Sequence, residues 1–585
     1  MAASARYTAT FVRCCLLVAF LVARTALASP SNPLPGVPRE YLEDIGPALV
    51  YPVSAPIEDG PYSVSINGER LPVAPAGQIE PAYYVRFGAK EPLTISIRAE
   101  LPEDHNLSLQ PERYLDDLDG TDGVYTLEIA TPGPRAFMME SPDGQRHTPL
   151  IILAEPPART ENIPEGAAVF DMSALADGDP ETPVTRDIQE ALDVSAEEDN
   201  GGVVYFGPGV YYIGHLVVGD NTMVYLAPGA ELYAQPNWSE AAGTDPHELV
   251  RFENATNSGF AGHGVIDGNG HVIRGTKREV SVTLSRAFDC RELYARDVML
   301  RNAAGWTFHI VGCTDVDVDG VRVAGDWGVA NTDGINPDNS QYVCIANAFI
   351  YAGDDALCVK ATNRYGLDRP TRNIEVRDSV VMTLKTSLKL GTESRGNIEN
   401  VLFENIDVVH SSRGLALWMR DGHAFSNVVF RDIRMDLLEF EGEAMSGEPF
   451  RFCIQDRAGG GHIRNILVKN VQVTAPYRAV LTGRPENSSF KNVVFRNVDW
   501  TLTPCNLKPD PAPLTDAWVV DAENELPLEG SPLMAIHRAE NIAFENVTLT
   551  WGEPGKAWDR FVDQQETAGI VLDGVTHIAP PFEVD

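Results

Sequence analysis

Aspartates that could carry out acid–base chemistry are concentrated in two short motifs near the middle of this 585-residue chain. Asp333 ends an Asn-Thr-Asp motif, and about twenty residues later Asp354 and Asp355 end a Gly-Asp-Asp motif. Three carboxylates held close together cannot all ionise freely, because like charges raise the pKa of at least one of them. The expected result is one proton donor beside ionised neighbours, which is the arrangement that hydrolysis of a glycosidic bond requires.

Two other interpretations of these aspartates stay open when the motifs are considered alone. Aspartates commonly end strands in turns, where they bind nearby backbone groups. Clustered carboxylates also suit Ca²⁺, which prefers oxygen ligands. The choice between these interpretations depends on the elements that position the motifs.

A short phrase that recurs after residue 370 indicates what those elements are. Each copy begins with Asn, continues with alternating apolar residues and closes with Asn or Asp; the copies start at residues 373, 400, 427, 465, 492 and 541. A repeat of this length with one strand per copy is typical of a solenoid, and no 3.6-residue period runs through it. We therefore predict a parallel β-helix of roughly ten coils, in which the Asn of each copy stacks on the Asn of the next coil. Residues one coil apart then lie about 4.8 Å from each other, which brings Asp333, Asp354 and Asp355 within reach of one another.

The remaining patterns divide the chain into segments. Two arginines, an apolar run and a small-residue cleavage site before Ser29 form the pattern of a secretory signal peptide. Short alternating strands separated by Pro, Gly and Asp turns predict a small antiparallel β-sandwich ahead of the β-helix. The predicted segments are a signal peptide (1–28), the sandwich as an accessory domain (29–155), a linker (156–165), the β-helix as the catalytic domain (166–555) and a C-terminal tail (556–585).

Composition excludes several classes of function and partner. The formal net charge is −37, so nucleic-acid phosphates would repel the chain. After the leader no segment is apolar enough to span a membrane, and we expect a secreted monomer, either extracellular or periplasmic. The cysteines outside the leader are spaced too widely for a disulfide scaffold or a CxxC metal site, although one or two disulfides are possible; they are Cys290, Cys313, Cys344, Cys358, Cys453 and Cys505.

The chain also resembles a known family, the family 28 glycoside hydrolases, which are polygalacturonase-like enzymes with a right-handed parallel β-helix. The resemblance covers roughly residues 165–555 and rests on a capping-helix segment at 185–192, on residues 203–211 and 264–268, and on the two aspartate motifs at the family's spacing. It implies hydrolysis with inversion at the anomeric carbon. In that reaction Asp354 would be the general acid, while Asp333 and Asp355 would activate and orient the attacking water. We expect neither a metal nor another cofactor.

Two motifs of that family are absent from this chain. Thr386 stands where the family has the His of a Gly-His-Gly motif, and a threonine can hold a hydrogen bond but carries no charge. The sequence Ala-Leu-Trp at 416–418 replaces the Arg-Ile-Lys that grips a substrate carboxylate in the family. These departures weaken a strict homogalacturonan assignment and leave the hydrolytic aspartates in place.

Several residues that follow the aspartates are candidates for contact with a substrate. Strand alternation puts Trp418 and Arg420 on one face, where Trp418 could stack on a sugar or pack under a loop, and Arg420 could act as a displaced cation. Lys360 could border the site or be a solvated turn residue, and His410 could enter the cleft or be an ordinary buried or surface histidine. The candidate substrate-binding residues are Lys360, Thr386, Lys389, His410, Trp418 and Arg420.

We therefore predict a secreted, inverting glycoside hydrolase that cleaves α-glycosidic bonds in a pectic polysaccharide similar to galacturonan or rhamnogalacturonan. Between Lys360 and Arg420 the basic residues outnumber the acidic ones, so this segment could attract an anionic glycan although the whole chain is acidic. The alternatives are a polysaccharide lyase or a hydrolase of a neutral glycan on the same β-helix, and a non-catalytic glycan-binding solenoid. The three aspartates argue against the last, because a binding protein has no need of mutually repelling carboxylates.

Overall fold

A computed structural model describes residues 42–578 with gaps. The gaps within this range are residues 55, 58–59, 101–105, 115–117, 122, 141–147, 158–165, 237–247, 276–280, 441–442, 444–445, 456, 485–487, 505–531 and 552–557. The predicted signal peptide and most of the predicted linker lie outside the described residues. Within the described ranges, no helix is long and apolar enough to cross a membrane.

The N-terminal part of the described chain is a sandwich of two β-sheets. Its strands are β1 (Glu43–Asp44), β2 (Ala48–Val50), β3 (Tyr62–Ile66), β4 (Glu69–Leu71), β5 (Val73–Gly77), β6 (Ala82–Ala89), β7 (Leu93–Ala99), β8 (Asn106–Gln110), β9 (Leu118–Thr121), β10 (Val124–Ile129), β11 (Gly133–Glu140) and β12 (Leu150–Glu155). In β3 the apolar residues are buried and the serines between them are not, which is the two-residue period of a strand with one solvated face. Seven strands form one sheet and five form the other; the pairing is antiparallel except between β6 and β12, which are parallel. The prediction of a small, mainly antiparallel sandwich is therefore confirmed.

The rest of the chain winds into a parallel β-helix whose strands belong to two long sheets. The larger sheet contains β13 (Ala168–Asp171), β14 (Gly202–Phe206), β15 (Gly209–Ile213), β17 (Thr222–Leu226), β18 (Ala230–Ala234), β20 (Gly259–Ala261), β21 (Val265–Asp267), β23 (Arg291–Arg296), β24 (Met299–Arg301), β26 (Thr314–Asp319), β27 (Arg322–Ala324), β29 (Gln341–Ala346), β30 (Phe349–Ala352), β32 (Thr371–Arg377), β33 (Val380–Thr383), β35 (Ile398–Ser411), β37 (His423–Leu437), β39 (Gly461–Ala475), β41 (Ser489–Leu502), β43 (Glu540–Trp551) and β45 (Ala568–Ile578). The smaller sheet contains β16 (Leu216–Val218), β19 (Glu248–Glu253), β22 (Thr283–Phe288), β25 (Phe308–Val311), β28 (Ile335–Asp338), β31 (Leu357–Ala361), β34 (Thr386–Ser394), β36 (Arg413–Met419), β38 (Glu448–Ile454), β40 (Ala479–Thr482), β42 (Pro532–His537) and β44 (Arg560–Gln565).

The β-helix is longer than the sequence predicts. Its smaller sheet stacks 12 strands, one for each coil, where roughly ten coils were expected. The predicted end at residue 555 is also wrong, because β44 and β45 pair in parallel with β42 and β43 and continue the coil to residue 578. These last strands carry no copy of the Asn phrase, which is why the repeat did not reveal them.

Short helices complete the fold. Helix α1 (Thr185–Ala196) covers the first coil and buries Ile188 and Leu192 in the apolar core of the β-helix, as the capping-helix segment predicts. Helix α2 (Gly270–Ile273) is a single turn after β21. Three-residue 3-10 turns lie at Glu112–Tyr114, Ser173–Leu175 and Arg364–Gly366.

The Asn at the start of each repeat stacks on its counterpart, as predicted. From Asn400 through Asn541, each side-chain amide donates to the side-chain oxygen of the asparagine one coil before it, beginning with Asn373, over 3.0–3.2 Å. All six asparagines also have a left-handed backbone, for example a φ of 57° at Asn427. Asparagine adopts this conformation more readily than most residues, so one residue type both makes the turn and joins adjacent coils.

The sandwich packs against the larger sheet of the β-helix. Tyr84, Ile151 and Leu153 of the sandwich are buried against Met299, Tyr351 and other apolar residues from successive coils. A buried ionic network lies beside this patch. Glu155 binds Arg86 of the sandwich at 3.0 Å and Arg322 of the β-helix at 2.8 Å. His263 completes the network, with its Nδ1 atom 3.0 Å from the Glu155 carboxylate.

Candidate active site

The three aspartates lie where successive coils enter the smaller sheet. Asp333 and Asp355 each stand two residues before Ile335 and Leu357, and these two residues pair in the parallel ladder. The side-chain oxygens of Asp333 and Asp355 come within 4.8 Å of each other. Asp354 directly precedes Asp355, and its Oδ1 atom accepts a hydrogen bond of 2.9 Å from the backbone N–H of Asp355. The structure thus brings the three predicted residues together.

The two motifs interlock through their smaller residues. The backbone N–H of Gly353 donates to Thr332 Oγ1 at 3.2 Å. A Cβ atom at Gly353 would lie only 2.6 Å from that same oxygen, so a larger residue would force the coils apart. The glycine of Gly-Asp-Asp and the threonine of Asn-Thr-Asp therefore allow the carboxylates to approach.

Asp354 and Asp355 differ in proton affinity although they are adjacent. Burial and the neighbouring charge of Asp355 raise the pKa of Asp354. Burial also acts to raise the pKa of Asp355, but the Lys389 ammonium 2.6 Å away outweighs it and holds that pKa below its ordinary value. One carboxyl group is thus prepared to hold a proton and its neighbour to remain ionised.

Asp333 has an intermediate environment. Burial raises the pKa of Asp333 to about 7, against the opposing charge of Lys360, whose ammonium lies 3.2 Å from Oδ2. The side-chain amide of Asn336 donates to the same oxygen over 3.2 Å. These environments agree with the expectation that clustering raises at least one carboxyl pKa. The contacts with the two lysines determine which of the three pKa values are raised.

Lys360 and Lys389 are buried partners of the aspartates. They lie on β31 and β34 and are 3% and 7% exposed, so Lys360 is not a solvated turn residue. The Lys360 ammonium also lies 4.7 Å from the centre of the Trp306 ring and 3.4 Å from Glu393. The Lys360 ammonium thus lies between Asp333 and Glu393, while the Lys389 ammonium lies beside Asp355.

Thr386 lies beside Asp355 and also contacts Arg413, a cation that the sequence analysis missed. Its backbone N–H donates to Asp355 over 3.3 Å, and its hydroxyl oxygen accepts a bond of the same length from Arg413 Nε. Arg413 pairs with Thr386 in the parallel ladder and helps to lower the pKa of Asp355. The one-coil spacing from Thr386 to Arg413 was the signal in the sequence that could have identified this arginine.

Trp418 faces away from the apolar core, as alternation predicts, but it is only 6% exposed. The Lys389 ammonium lies 5.2 Å and the Arg451 guanidinium 5.1 Å from the centre of its ring. Arg451 in turn binds Glu448 at 2.6 Å. The ring contacts two cations, which limits the area left for stacking on a sugar. Arg451 was also missed, because it comes from a coil lengthened by an insertion.

Arg420 and His410 occupy less central positions. Arg420 follows β36 and is half-buried, and its carbonyl oxygen accepts a backbone bond of 2.7 Å from Arg457. His410 is buried on β35 of the larger sheet, and its Nδ1 atom lies 3.1 Å from the Asp436 carboxylate. His410 therefore matches the alternative of a partnered, buried histidine more closely than a substrate contact.

The donor set beside the aspartates does not fit a divalent cation. Cys358 Sγ joins the Asp333 and Asp355 oxygens within 4.8 Å, which is close enough to enclose an ion. Burial raises the pKa of the Cys358 thiol, which donates to the Gly391 carbonyl at 2.9 Å and so remains protonated. The ammonium groups of Lys360 and Lys389 already contact the carboxylates and would repel a second positive charge.

Known proteins share this sequence pattern and fold. The sequence model described as "Glycosyl hydrolases family 28" matches residues 229–506. A "Probable polygalacturonase" from Vitis vinifera is 22% identical over 404 residues, which cover 59% of this chain and 81% of that protein. An "Endo-polygalacturonase" from Pectobacterium carotovorum subsp. carotovorum is 28% identical over 218 residues, 32% of this chain and 50% of that protein. The solved "Family 28 Exopolygalacturonase" of Yersinia enterocolitica has the same fold, with a TM-score of 0.55 and 17% identity over 82% of this chain and 96% of that chain.

Proposed function

We propose that this chain, whose residues 229–506 match the sequence model of family 28 of the glycosyl hydrolases, acts as a member of that family and cleaves a pectic, galacturonan-like polysaccharide by single displacement with inversion. The observation that carries the proposal is the divergence in proton affinity between Asp354 and Asp355. A raised pKa on one carboxyl and a lowered pKa on its neighbour supply an acid and a base together.

Each aspartate has a role in the proposed reaction. Asp354 gives its proton to the oxygen of the leaving sugar as the glycosidic bond breaks. Asp355, kept ionised by Lys389, accepts a proton from the water that attacks the anomeric carbon. Asp333 holds that water from the other side. The proton gained by Asp355 and the proton lost by Asp354 balance over one turnover.

The charges around the aspartates support an anionic substrate. Four cations come from successive coils. Lys360 contacts Asp333 and Lys389 contacts Asp355, while Arg413 binds Thr386 and Arg451 lies against the Trp418 ring. They stand near the place where the family has its Arg-Ile-Lys motif, so cations from neighbouring coils could attract uronate groups in its absence. The signal-peptide pattern further supports an enzyme that is exported, to the periplasm or outside the cell.

The test is hydrolysis of polygalacturonate, rhamnogalacturonan and a neutral glucan, with the new reducing ends counted and the anomer followed by NMR. Asp354→Asn should lower kcat on the preferred substrate by about 10²–10⁴-fold, because the leaving oxygen loses its proton donor. Asp319→Asn, at an exposed position on β26, is the matched control and should leave kcat unchanged. An unsaturated product that absorbs in the ultraviolet would indicate a lyase instead, and unchanged turnover by Asp354→Asn would refute the assignment.

A further inference from the structure

The sandwich contacts the loop that leads to Asp333. The turn between β5 and β6 presents three consecutive backbone N–H groups, and all three donate to the carboxylate of Asp326. The donors are Gln78 and Ile79, each at 2.7 Å, and Glu80 at 3.0 Å. Asp326 is fully buried and lies in the loop between β27 and β28. Hydrogen bonds to an ionised acceptor are about twice as strong as those between neutral groups, so this is a firm attachment.

The fit between the turn and the loop leaves little room for either to shift. A Cβ atom on Gly328 of the loop would lie 2.3 Å from the Cγ2 atom of Ile79. The N–H of Gly328 also donates to Asp326 over 2.9 Å, so the carboxylate joins both sides. Trp327 stacks on Tyr351 with the ring centres 4.8 Å apart, and Tyr351 belongs to the apolar patch under the sandwich.

A short series of hydrogen bonds runs from Asp326 to the aspartate motifs. The Asp326 carbonyl accepts a bond of 3.0 Å from the N–H of Val329. The Val329 carbonyl accepts a bond of the same length from the hydroxyl of Thr332, and Thr332 Oγ1 accepts from Gly353. Thr332 directly precedes Asp333, and Gly353 directly precedes Asp354. A displacement of Asp326 would therefore be transmitted to both.

From these contacts we propose that Asp326 is a positioning residue, through which the N-terminal sandwich holds Asp333 and Asp354 in the geometry of the reaction. The proposal rests on the proposed function. It assigns the sandwich a part in catalysis that a sugar-binding or purely stabilising accessory domain would not have. Misplacement of a reacting group by about 1 Å can cost about 10²-fold in rate, so the contact between the sandwich and Asp326 can affect the rate without touching the substrate.

A matched pair of variants separates positioning from stability. Asp326→Asn keeps the side-chain shape but removes the charge that binds the three N–H groups. Asp407→Asn is the control, because Asp407 is also a buried carboxylate that joins the sandwich to the β-helix, through Arg113 at 2.7 Å, but on a different coil. Both variants should lower Tm. Only Asp326→Asn should lower kcat, by about 10-fold or more with little change in KM.

The pH profile gives a second readout that loss of stability alone would not change. Burial raises the pKa of Asp354, the acid whose ionisation sets the basic limb of the profile, so a loosened loop that admits water should move this limb to lower pH. This shift should occur in Asp326→Asn and not in Asp407→Asn. Equal effects of the two variants on kcat and on the limb, or no effect of either, would overturn the proposal.

Hydrogen exchange tests whether the sandwich holds the loop between β27 and β28 in place, without any assay of activity. In Asp326→Asn the amides of residues 328–334 and 353–355 should exchange faster than in the wild type, while Asp407→Asn should leave them protected. Unchanged protection in Asp326→Asn would contradict the inference even if the enzyme is active. If the wild type cleaves no glycan, the proposed function fails on its own, and the exchange result still decides whether the sandwich braces this loop.

Discussion

At the scale of single residues, two lysines decide what three chemically identical side chains can do. Asp333, Asp354 and Asp355 are all buried or partly buried, and burial raises each carboxyl pKa. The close contact with Lys389 reverses this effect at Asp355 alone. The sequence predicted that the aspartates would meet, because their spacing matches one coil. It did not predict which one stays ionised, because that depends on a lysine more than thirty residues away whose direction only the coil defines.

The pH dependence of activity should follow from these environments. Activity requires Asp354 protonated, so it should be lost as pH rises through the raised pKa of that group. It should be lost on the acid side as pH falls through the lowered pKa of Asp355. Lys389→Met removes the charge that lowers this pKa most, so the acid limb of kcat/KM should move to higher pH. Lys469→Met, on β39, is the control, and a Lys389→Met limb that stays in place would contradict the assigned cause.

Asp333 should also make the free energy of unfolding depend on pH, with the folded protein less stable at high pH. Its pKa is about 7 in the folded protein and about 4 in an unfolded chain, so its contribution to the free energy of unfolding is full below pH 4 and is lost as pH rises to 7. Asp333→Asn removes this dependence. The variant should unfold at a higher temperature than the wild type at pH 8 and at a similar temperature at pH 4, as measured by calorimetry. A lower Tm at pH 8 would show that the contact with Lys360 outweighs the burial of the charge.

At the scale of elements, most of the fold was predicted from the repeated Asn phrase. Its copies predicted the parallel strands and the stacking of the asparagines, while the two aspartate motifs predicted the segment that carries the site. The phrase could not predict the last coil, which carries no copy of it and which the sequence analysis took for a tail. Arg451 was missed for a related reason, since its coil is lengthened by an insertion and sequence spacing alone does not give its register, whereas the one-coil spacing from Thr386 could have identified Arg413.

The Asn ladder should contribute measurably to stability. Asn427 donates to Asn400 and accepts from Asn465, both over 3.1 Å, and has a φ of 57°. Asn427→Ala loses both bonds and puts into the left-handed turn an alanine, which lacks the polar side chain that lets asparagine adopt this conformation, at a cost of about 2–4 kcal/mol. Asn427→Gly keeps the turn and should cost about 1–2 kcal/mol less than Asn427→Ala, as measured by denaturant unfolding. Equal losses in the two variants would indicate that the backbone conformation contributes nothing.

At the scale of the whole molecule, the sandwich and the β-helix are joined by buried charges. The sequence predicted each of them separately but not the contact between them, because the contact pairs residues that share no repeat or motif. Glu155 illustrates this: it ends the sandwich and binds Arg322, which lies 167 residues further along the chain. The sequence Gly262-His263-Gly264 also supplies a residue of this interface, because His263 binds the Glu155 carboxylate.

Removal of one charge from this network should uncouple the two parts. Glu155→Gln leaves Arg86 and Arg322 buried without their carboxylate, at a cost of about 3–5 kcal/mol. In calorimetry the sandwich should then melt at a lower temperature than the β-helix, as a separate transition. Glu190→Gln is the control, because it removes an exposed charge on α1, and it should leave the melting profile unchanged. A profile for Glu155→Gln that matches the wild type would mean that the apolar patch alone joins the two parts.

The apolar patch between the two parts also bears on how the chain is made. Tyr84, Ile151 and Leu153 belong to the part synthesised first, but their partners extend to Val409 in β35. Until the ribosome has released some 250 further residues, this face of the sandwich has no completed surface to pack on. A newly made chain therefore passes through a stage in which a finished domain exposes an unfinished interface, and at that stage it is most prone to aggregate or to need a chaperone.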